Sequence, residues 1–434
     1  MKISELIEAT GAKVFGNYDK DLDVRISTDT RTIKSGDLYL PLKGVSFDGE
    51  KFIEQAINKG AIGAFYTSID SISKRQEWEN TFSLFLQVPD TLTAYLQLAN
   101  YRRKKLNPTV VAITGSSGKT TTKEIVASTL ESKYRVFKTP LNHNNEVGLC
   151  QTIFEMPNDT EVLVLEMGMR GLGEIELLSK YAEPDITIIS NVGTAHIGRL
   201  GSRENIAKAK CEIVKYQRGD VFIAHDDELI KKTVEFDKDK LFYSIRDVNI
   251  IEKDVNYSKF EYKNNIYELN VGGDFNIENA ISAINTGMKL GLNIKEIQLG
   301  LKNYKPIEKR WEAVNVNGFE IINDSYNANP ESMRAFVDTI FELYNDYLLI
   351  LGDMGELGDK EVQYHKELGE YILAKNAKVN IITVGKLSKN IAEPNFETIE
   401  DAVEYIKNNV SKKIKLFLKA SRSMKFERII ELLK

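Results

Sequence analysis

The run Gly115-Ser116-Ser117-Gly118-Lys119-Thr120-Thr121 concentrates the residue types that handle phosphate. Val110 to Ile113 precede it as a nearly uninterrupted apolar run, the pattern of a buried parallel strand. Helical spacing resumes after Lys119, with Ile125, Val126, Thr129 and Leu130 on one side. Strand, glycine loop, lysine, hydroxyl and helix form a phosphate cradle. Loop amides and the helix N-terminus face the phosphates, Lys119 supplies a point charge, and Thr120 can ligate magnesium. The spacing is a shortened G-x-x-G-K-T, because Ile113 stands where the longer motif has its first glycine. A tight strand-to-helix turn with a solvated lysine is the bland alternative. The flanking elements and three successive threonines after the lysine favour a nucleoside triphosphate site.

Other strand ends are expected beside this loop. Val162 to Leu165 end in Glu166, and Ile186 to Ile189 lead into Ser190-Asn191-Val192-Gly193-Thr194-Ala195-His196. In a doubly wound sheet the carboxyl ends of the strands share one rim. Glu166 and His196 therefore belong on the rim of Lys119 and Thr120, where a carboxylate can complete a magnesium shell. Residues 203–217 have helical spacing that places Lys210 inward with Ile206, Ile213 and Val214. Lys208 falls with Glu204, Glu212 and Lys215 on a solvated face. An inward lysine is more often snorkelling or paired than catalytic. Asn142 to Gly148 is a polar run without core pattern, expected to be a substrate loop. Ser27 to Arg31 is dense in donors and acceptors, and from the residues alone Asp29 and Arg31 read first as a surface ion pair.

A chain of 434 residues is too long for one ordinary domain. The expected division is 1–83, a small α/β unit; 84–306, carrying the phosphate loop; and 307–434, a second α/β domain with no phosphate loop. The fold class is α/β throughout. Residues 249–271 alternate around Asn264-Asn265 and predict a hairpin excursion. Hydrophobic content of 42% allows full cores, and a net charge of −5 leaves no basic surplus for nucleic acid or anionic membrane. Cys150 and Cys211 read as free thiols of a reducing compartment. Lys2-Ile3-Ser4-Glu5 leads into an amphipathic helix rather than a secretory signal. A cytoplasmic enzyme is the expectation.

These motifs together resemble the Mur ligases over essentially the whole length. Gly115 to Thr121 resembles the family ATP loop. Asp324-Ser325-Tyr326-Asn327-Ala328-Asn329-Pro330 resembles the piece most specific to the branch that adds the D-Ala-D-Ala dipeptide to a UDP-N-acetylmuramoyl-tripeptide. Glu166 to Gly171, Asn144-Asn145-Glu146, Leu351 to Met354 and Glu356-Leu357-Gly358 agree with it. The resemblance implies a central P-loop ATPase-type domain between a UDP-sugar-binding domain and a Rossmann-like carboxyl-terminal domain. It also implies an ATP-dependent ligase working through an acyl phosphate in peptidoglycan precursor synthesis.

The same resemblance assigns residues. The loop residues Gly115, Ser116, Ser117, Gly118, Lys119, Thr120 and Thr121, with Asn279, Arg310 and Asp324, would hold ATP. Thr120, Glu166, His196 and a carbamylated Lys210 would hold two magnesium ions. Ser27, Asp29, Arg31, Asn144, Asn145, Arg170, Tyr326, Asn327 and Asn329 would contact substrate. The implied partners are small molecules, with no nucleic acid and no membrane insertion, and the chain is expected to be a monomer. Three positions depart from the family pattern: Cys150 where proline is usual, Phe275 where histidine is usual, and Lys309 before Arg310 where glycine is common. The rival readings are a sister ligase adding an earlier amino acid, a folylpolyglutamate-type ligase and a P-loop regulatory switch. The Asp324–Pro330 run and the amino-terminal domain argue against the two ligases. No Asn-Lys-x-Asp motif supports a switch.

Overall fold

The computed structural model describes residues 1–44, 47–68 and 84–434. It divides into two compact units, Met1–Pro108 with Thr139–Thr160, and Thr109–Lys138 with Glu161–Lys434. The expected boundary at residue 83 lies outside the described residues.

The first unit holds a five-stranded sheet ordered Lys13–Phe15, Leu84–Gln87, Gly63–Tyr66, Leu38–Tyr39, Ile26–Ser27. Its first pairing is antiparallel and the others are parallel. The helix Ile3–Thr10 stops where Gly11 turns left-handed at φ 63°, a conformation glycine adopts without steric cost. A second helix forms over Ile53–Asn58 with Ile53, Ala56 and Ile57 buried. Phe52, just before this helix, is exposed and stacks on Phe47 at 5.6 Å. The polar run at 142–148 is only partly a loop. Asn145 caps the helix Glu146–Glu155 by accepting from the Gly148 N–H at 2.9 Å. Its side chain satisfies one of the amides that every helix start leaves without an internal partner.

The second unit contains three sheets. The central one is all-parallel, ordered Asp239–Tyr243, Val221–His225, Ile186–Ile189, Thr109–Thr114, Val162–Glu166, Val136–Lys138. The order reverses about Thr109–Thr114, so the phosphate loop leaves the sheet at its topological switch point. Val111 and Ile113 pack with Ile125, Val126, Leu130, Ile277 and Ile281 in one fully buried cluster. Each such side chain contributes about 1.5–3 kcal/mol when removed from water, which fixes the loop between two rigid elements.

The expected hairpin is a three-stranded meander, Asn249–Asp254, Tyr257–Tyr262 and Asn265–Leu269. Its second turn is made by Lys263 and Asn264, both at positive φ, so the corner lies one residue earlier than Asn264-Asn265. The third sheet is ordered Glu312–Val316, Phe319–Asn323, Lys415–Lys419, Tyr347–Gly352, Ile381–Val384, Asn395–Phe396. Only its first strand is antiparallel. No helix among the described residues is long and apolar enough to cross a membrane.

Candidate active site

The rim of the central sheet gathers the loop and its expected companions. Gly118 takes φ 74° at the entry to the helix Lys119–Leu130, which lets the backbone turn sharply from loop into helix. A Cβ on Gly115 would collide with Ser190. The loop is braced by the next strand's end: Ser117 N–H donates to Asn191 Oδ1 at 2.9 Å, and Ser190 Oγ donates to the Ser117 carbonyl at 2.7 Å. Gly193 N–H donates to Ser116 Oγ at 2.9 Å. Such bracing holds the cradle in shape before a ligand arrives.

Positive charge crowds this rim. Lys119 Nζ donates to the Gly115 carbonyl at 2.8 Å. Desolvation lowers its pKa, and Glu166 opposes that shift while Arg310 reinforces it. Glu166 ends its strand buried. Arg310 Nη2 donates to Thr120 Oγ1 at 2.9 Å, and its guanidinium lies 3.8 Å from the centre of the Tyr326 ring. Arg422 lies 4.9 Å from the same ring.

Lys210 is inward as expected and 1% exposed, whereas Lys208 is exposed. Burial drives the Lys210 pKa well below its ordinary value, and the nearby Lys119 charge lowers it further. Its helix ends at Cys211 and tightens into a 3₁₀ turn over Glu212–Val214. That change of pitch corrects one expectation, because Glu212 is buried rather than solvated. Its carboxylate accepts from Gly173 N–H at 2.8 Å and Glu176 N–H at 3.2 Å, capping the helix Glu174–Ala182. Burial raises its pKa and those amides oppose the rise. Both cysteines are free and buried.

His196 sits at φ 66° in a left-handed turn, with Nδ1 2.7 Å from Glu356 Oε2. The imidazole holds the Glu356 carboxyl below its ordinary range. Thr194 donates through its N–H and its hydroxyl to the two oxygens of Glu331, at 3.0 and 2.9 Å. Neither glutamate partner was foreseen, since each lies in a segment far along the chain.

Around the third sheet the expected residues are largely engaged with each other. Asp324 pairs with Lys419 and accepts from the Trp311 N–H at 3.2 Å. Asn329 caps the helix Pro330–Leu343 through Ser332 N–H at 2.9 Å, and Asn327 Oδ1 accepts from Ala328 N–H at 2.9 Å. Asn279 Oδ1 accepts from Thr122 Oγ1 at 2.9 Å, beneath Gly118. Phe275 packs edge-on to Trp311 at 5.4 Å, so the aromatic face at this departure is used for packing. Thr121 is half-buried in the first helical turn, and Arg170 is exposed.

In the first unit Asp29 and Arg31 form an exposed ion pair at 2.6 Å, which holds the Asp29 carboxyl down to about 2. Ser27 is buried and its hydroxyl donates to the Asp29 carbonyl at 3.2 Å. Asn144 is half-buried beside the exposed Asn145 cap.

The donor types at the central rim fit magnesium. Thr120 and Glu166 offer hard oxygen, and nucleotide-bound magnesium takes most of its other ligands from phosphate and water. As a bare amine Lys210 is no such ligand.

Three regions match family models: residues 24–103 the Mur ligase family catalytic domain, 113–287 the Mur ligase middle domain, and 309–430 the Mur ligase glutamate ligase domain. The chain is 36% identical to the UDP-N-acetylmuramoyl-tripeptide–D-alanyl-D-alanine ligase of Bacillus subtilis (strain 168), covering 99% of this chain and 96% of the relative. A crystal structure of MurF from Acinetobacter baumannii superposes with a TM-score of 0.86 at 28% identity, over 100% of this chain and 98% of that one. The MurF ligase of Thermotoga maritima in complex with ADP superposes with a TM-score of 0.83 at 28% identity, over 94% and 96%.

Proposed function

The chain belongs to the Mur ligase family, and from that premise we infer that it is an ATP-dependent ligase joining D-Ala-D-Ala to UDP-N-acetylmuramoyl-tripeptide. One observation carries the reading. In a chain kin to such a ligase from end to end, Arg310 of the carboxyl-terminal region reaches the Thr120 hydroxyl of the phosphate loop. A nucleotide bound in that loop is thereby clamped from both sides.

The chemistry requires two anions, the peptide carboxylate and the γ-phosphate, to meet. Lys119 and Arg310 lower their repulsion as charge moves onto the transferring phosphoryl group. A carboxylate oxygen attacks the γ-phosphorus, the bond to ADP breaks, and an acyl phosphate forms. The dipeptide amine then attacks the acyl carbon, loses its proton, and expels inorganic phosphate. Enclosure of the rim by the carboxyl-terminal domain excludes the water that would hydrolyse the acyl phosphate.

In this reading Thr120 and Glu166 would hold one magnesium ion, which supplies charge neutralisation at the phosphates. His196 and a carbamylated Lys210 would serve a second. The burial that lowers the Lys210 pKa favours the free amine and so supports carbamylation, because only the free amine captures carbon dioxide. The domains would divide the labour as 1–83 for the uridine nucleotide, 84–306 for ATP and 307–434 for the dipeptide. Ser27, Asp29, Arg31, Asn144, Asn145 and Arg170 would meet the sugar-nucleotide peptide, and Tyr326, Asn327 and Asn329 the dipeptide end. Asn279 and Asp324 would contact the nucleoside. We place the enzyme in the cytoplasm as a monomer.

The test is phosphate release and product mass with UDP-muramoyl-peptides of increasing length crossed against single amino acids and dipeptides. Turnover confined to tripeptide with D-Ala-D-Ala is expected. Faster turnover of a shorter peptide with one amino acid would replace this reading by the sister-ligase one.

A further inference from the structure

The segment Gly352–Gly358 has no part in the chemistry above, yet it is built with care. Asp353 Oδ1 accepts from the N–H groups of Leu387 and Ser388 at 3.1 and 2.8 Å. Met354 N–H donates to Nε2 of the fully buried His365 at 2.9 Å, and the other ring nitrogen, Nδ1, lies 2.7 Å from the Glu361 carbonyl. A carbonyl only accepts, so the proton is on Nδ1 and the tautomer is fixed. A rigid loop thus presents Glu356, at φ 63°, to His196, at φ 66°. Two non-glycine residues facing each other from left-handed backbone are a strained arrangement that the surrounding structure must maintain.

Beside this pair the two segments touch through glycine. A Cβ on Gly198 would lie 2.6 Å from the Gly358 nitrogen, and a Cβ on Gly358 would lie 2.8 Å from the Gly198 Cα. Any larger residue at either position would push the segments apart. The joint is therefore shaped to bring Glu356 to the imidazole, and Arg199 and Arg170 are the other charges that act on that carboxylate.

We propose that Glu356 is a positioning residue, which docks from the carboxyl-terminal region onto His196 and holds the imidazole in place through the 2.7 Å ion-pair contact at Nδ1. The consequence is coupling, because His196 is set for work only when the two segments are docked. Removing a carboxylate that orients a histidine from behind commonly changes activity or affinity by about 10–100-fold. The proposal rests on the reading of His196 as a site residue.

The test is a double-mutant cycle on the full chain with His196→Ala and Glu356→Ala, with Glu356→Gln as the conservative variant. Imidazole ¹⁵N spectra of each protein that retains His196 give the second readout. The chain has four histidines, so His196 is assigned by its own substitution. Glu356→Ala should lower kcat by about 10–100-fold with little change in KM for ATP, and Glu356→Gln should recover part of it. Glu356→Ala should cost nothing further in a His196→Ala background, and it should shift the His196 imidazole signals. Additive losses, or a His196 spectrum indifferent to Glu356, would overturn the proposal while leaving His196 in the site. Wild-type activity of His196→Ala would overturn both the proposal and the reading beneath it. Gly198→Ala gives an independent check, since it leaves both side chains intact and should reproduce the kcat loss and the spectral change of Glu356→Ala.

Discussion

Two sheets in the second unit, one all-parallel and one mostly so, end in rims of opposite character. At the central sheet, Lys119 and Arg310 face one buried carboxylate, Glu166, and desolvation lowers the Lys119 pKa. At the carboxyl-terminal sheet the buried Lys419 is paired with Asp324, and the half-buried Lys309 with Glu427 at 3.1 Å. A rim whose charges already cancel gains little from an anion and serves as scaffold. A rim with surplus positive charge held out of water is incomplete until a polyanion arrives.

The strongest test of that contrast is Lys119→Ala. It should reduce ligation by about a thousandfold with an unchanged circular dichroism spectrum, because it removes charge from the transferring phosphoryl group and leaves the core alone. A folded, active variant would remove the central rim from the chemistry. Next in size is Lys210→Ala, expected to be nearly inactive and partly rescued by short carboxylates that replace a carbamate. Lys208→Ala, two residues away and exposed, should match wild type. The reverse ranking in a steady-state assay would refute the assignment of Lys210.

The scaffold rim should answer in stability instead. Lys419 is 3% exposed, and removing it strands the Asp324 carboxylate. Lys419→Ala should therefore cost about 3 kcal/mol in urea unfolding, and an unshifted midpoint would show that the two rims do not differ as described. The smallest effect is expected at the exposed pair of the first unit. Arg31→Ala should leave the thermal midpoint in place and raise KM for the sugar nucleotide. If KM also stays unchanged, Asp29 and Arg31 are an ordinary surface pair.

What could be read from the sequence follows the range of the interactions. The phosphate loop is contiguous, so its strand, glycines, lysine and helix lie within the run Thr109–Leu130 and can be recognised without the fold. Lys210 was legible because helical periodicity alone sorts it from Lys208. Glu212 was not, because the helix tightens at that residue and the partner amides of Gly173 and Glu176 come from another element. Asn145 read as a loop residue although its side chain caps a helix, an ambiguity built into asparagine. The Glu331 and Glu356 contacts needed the chain to fold back on itself, and no local pattern announces them. The meander's second turn was legible to within one residue, displaced because lysine is an unusual left-handed residue. Its first turn, between Asp254 and Tyr257, was missed.

The central claim is that the crowded rim lets a peptide carboxylate attack ATP, and oxygen tracing tests it directly. The UDP-muramoyl-tripeptide would carry ¹⁸O in its terminal carboxylate, and the phosphate released on reaction with ATP and D-Ala-D-Ala would be weighed. Attack by the carboxylate followed by expulsion of the acyl phosphate delivers one labelled oxygen to each phosphate. Phosphate free of label, with amide product still forming, would contradict the account.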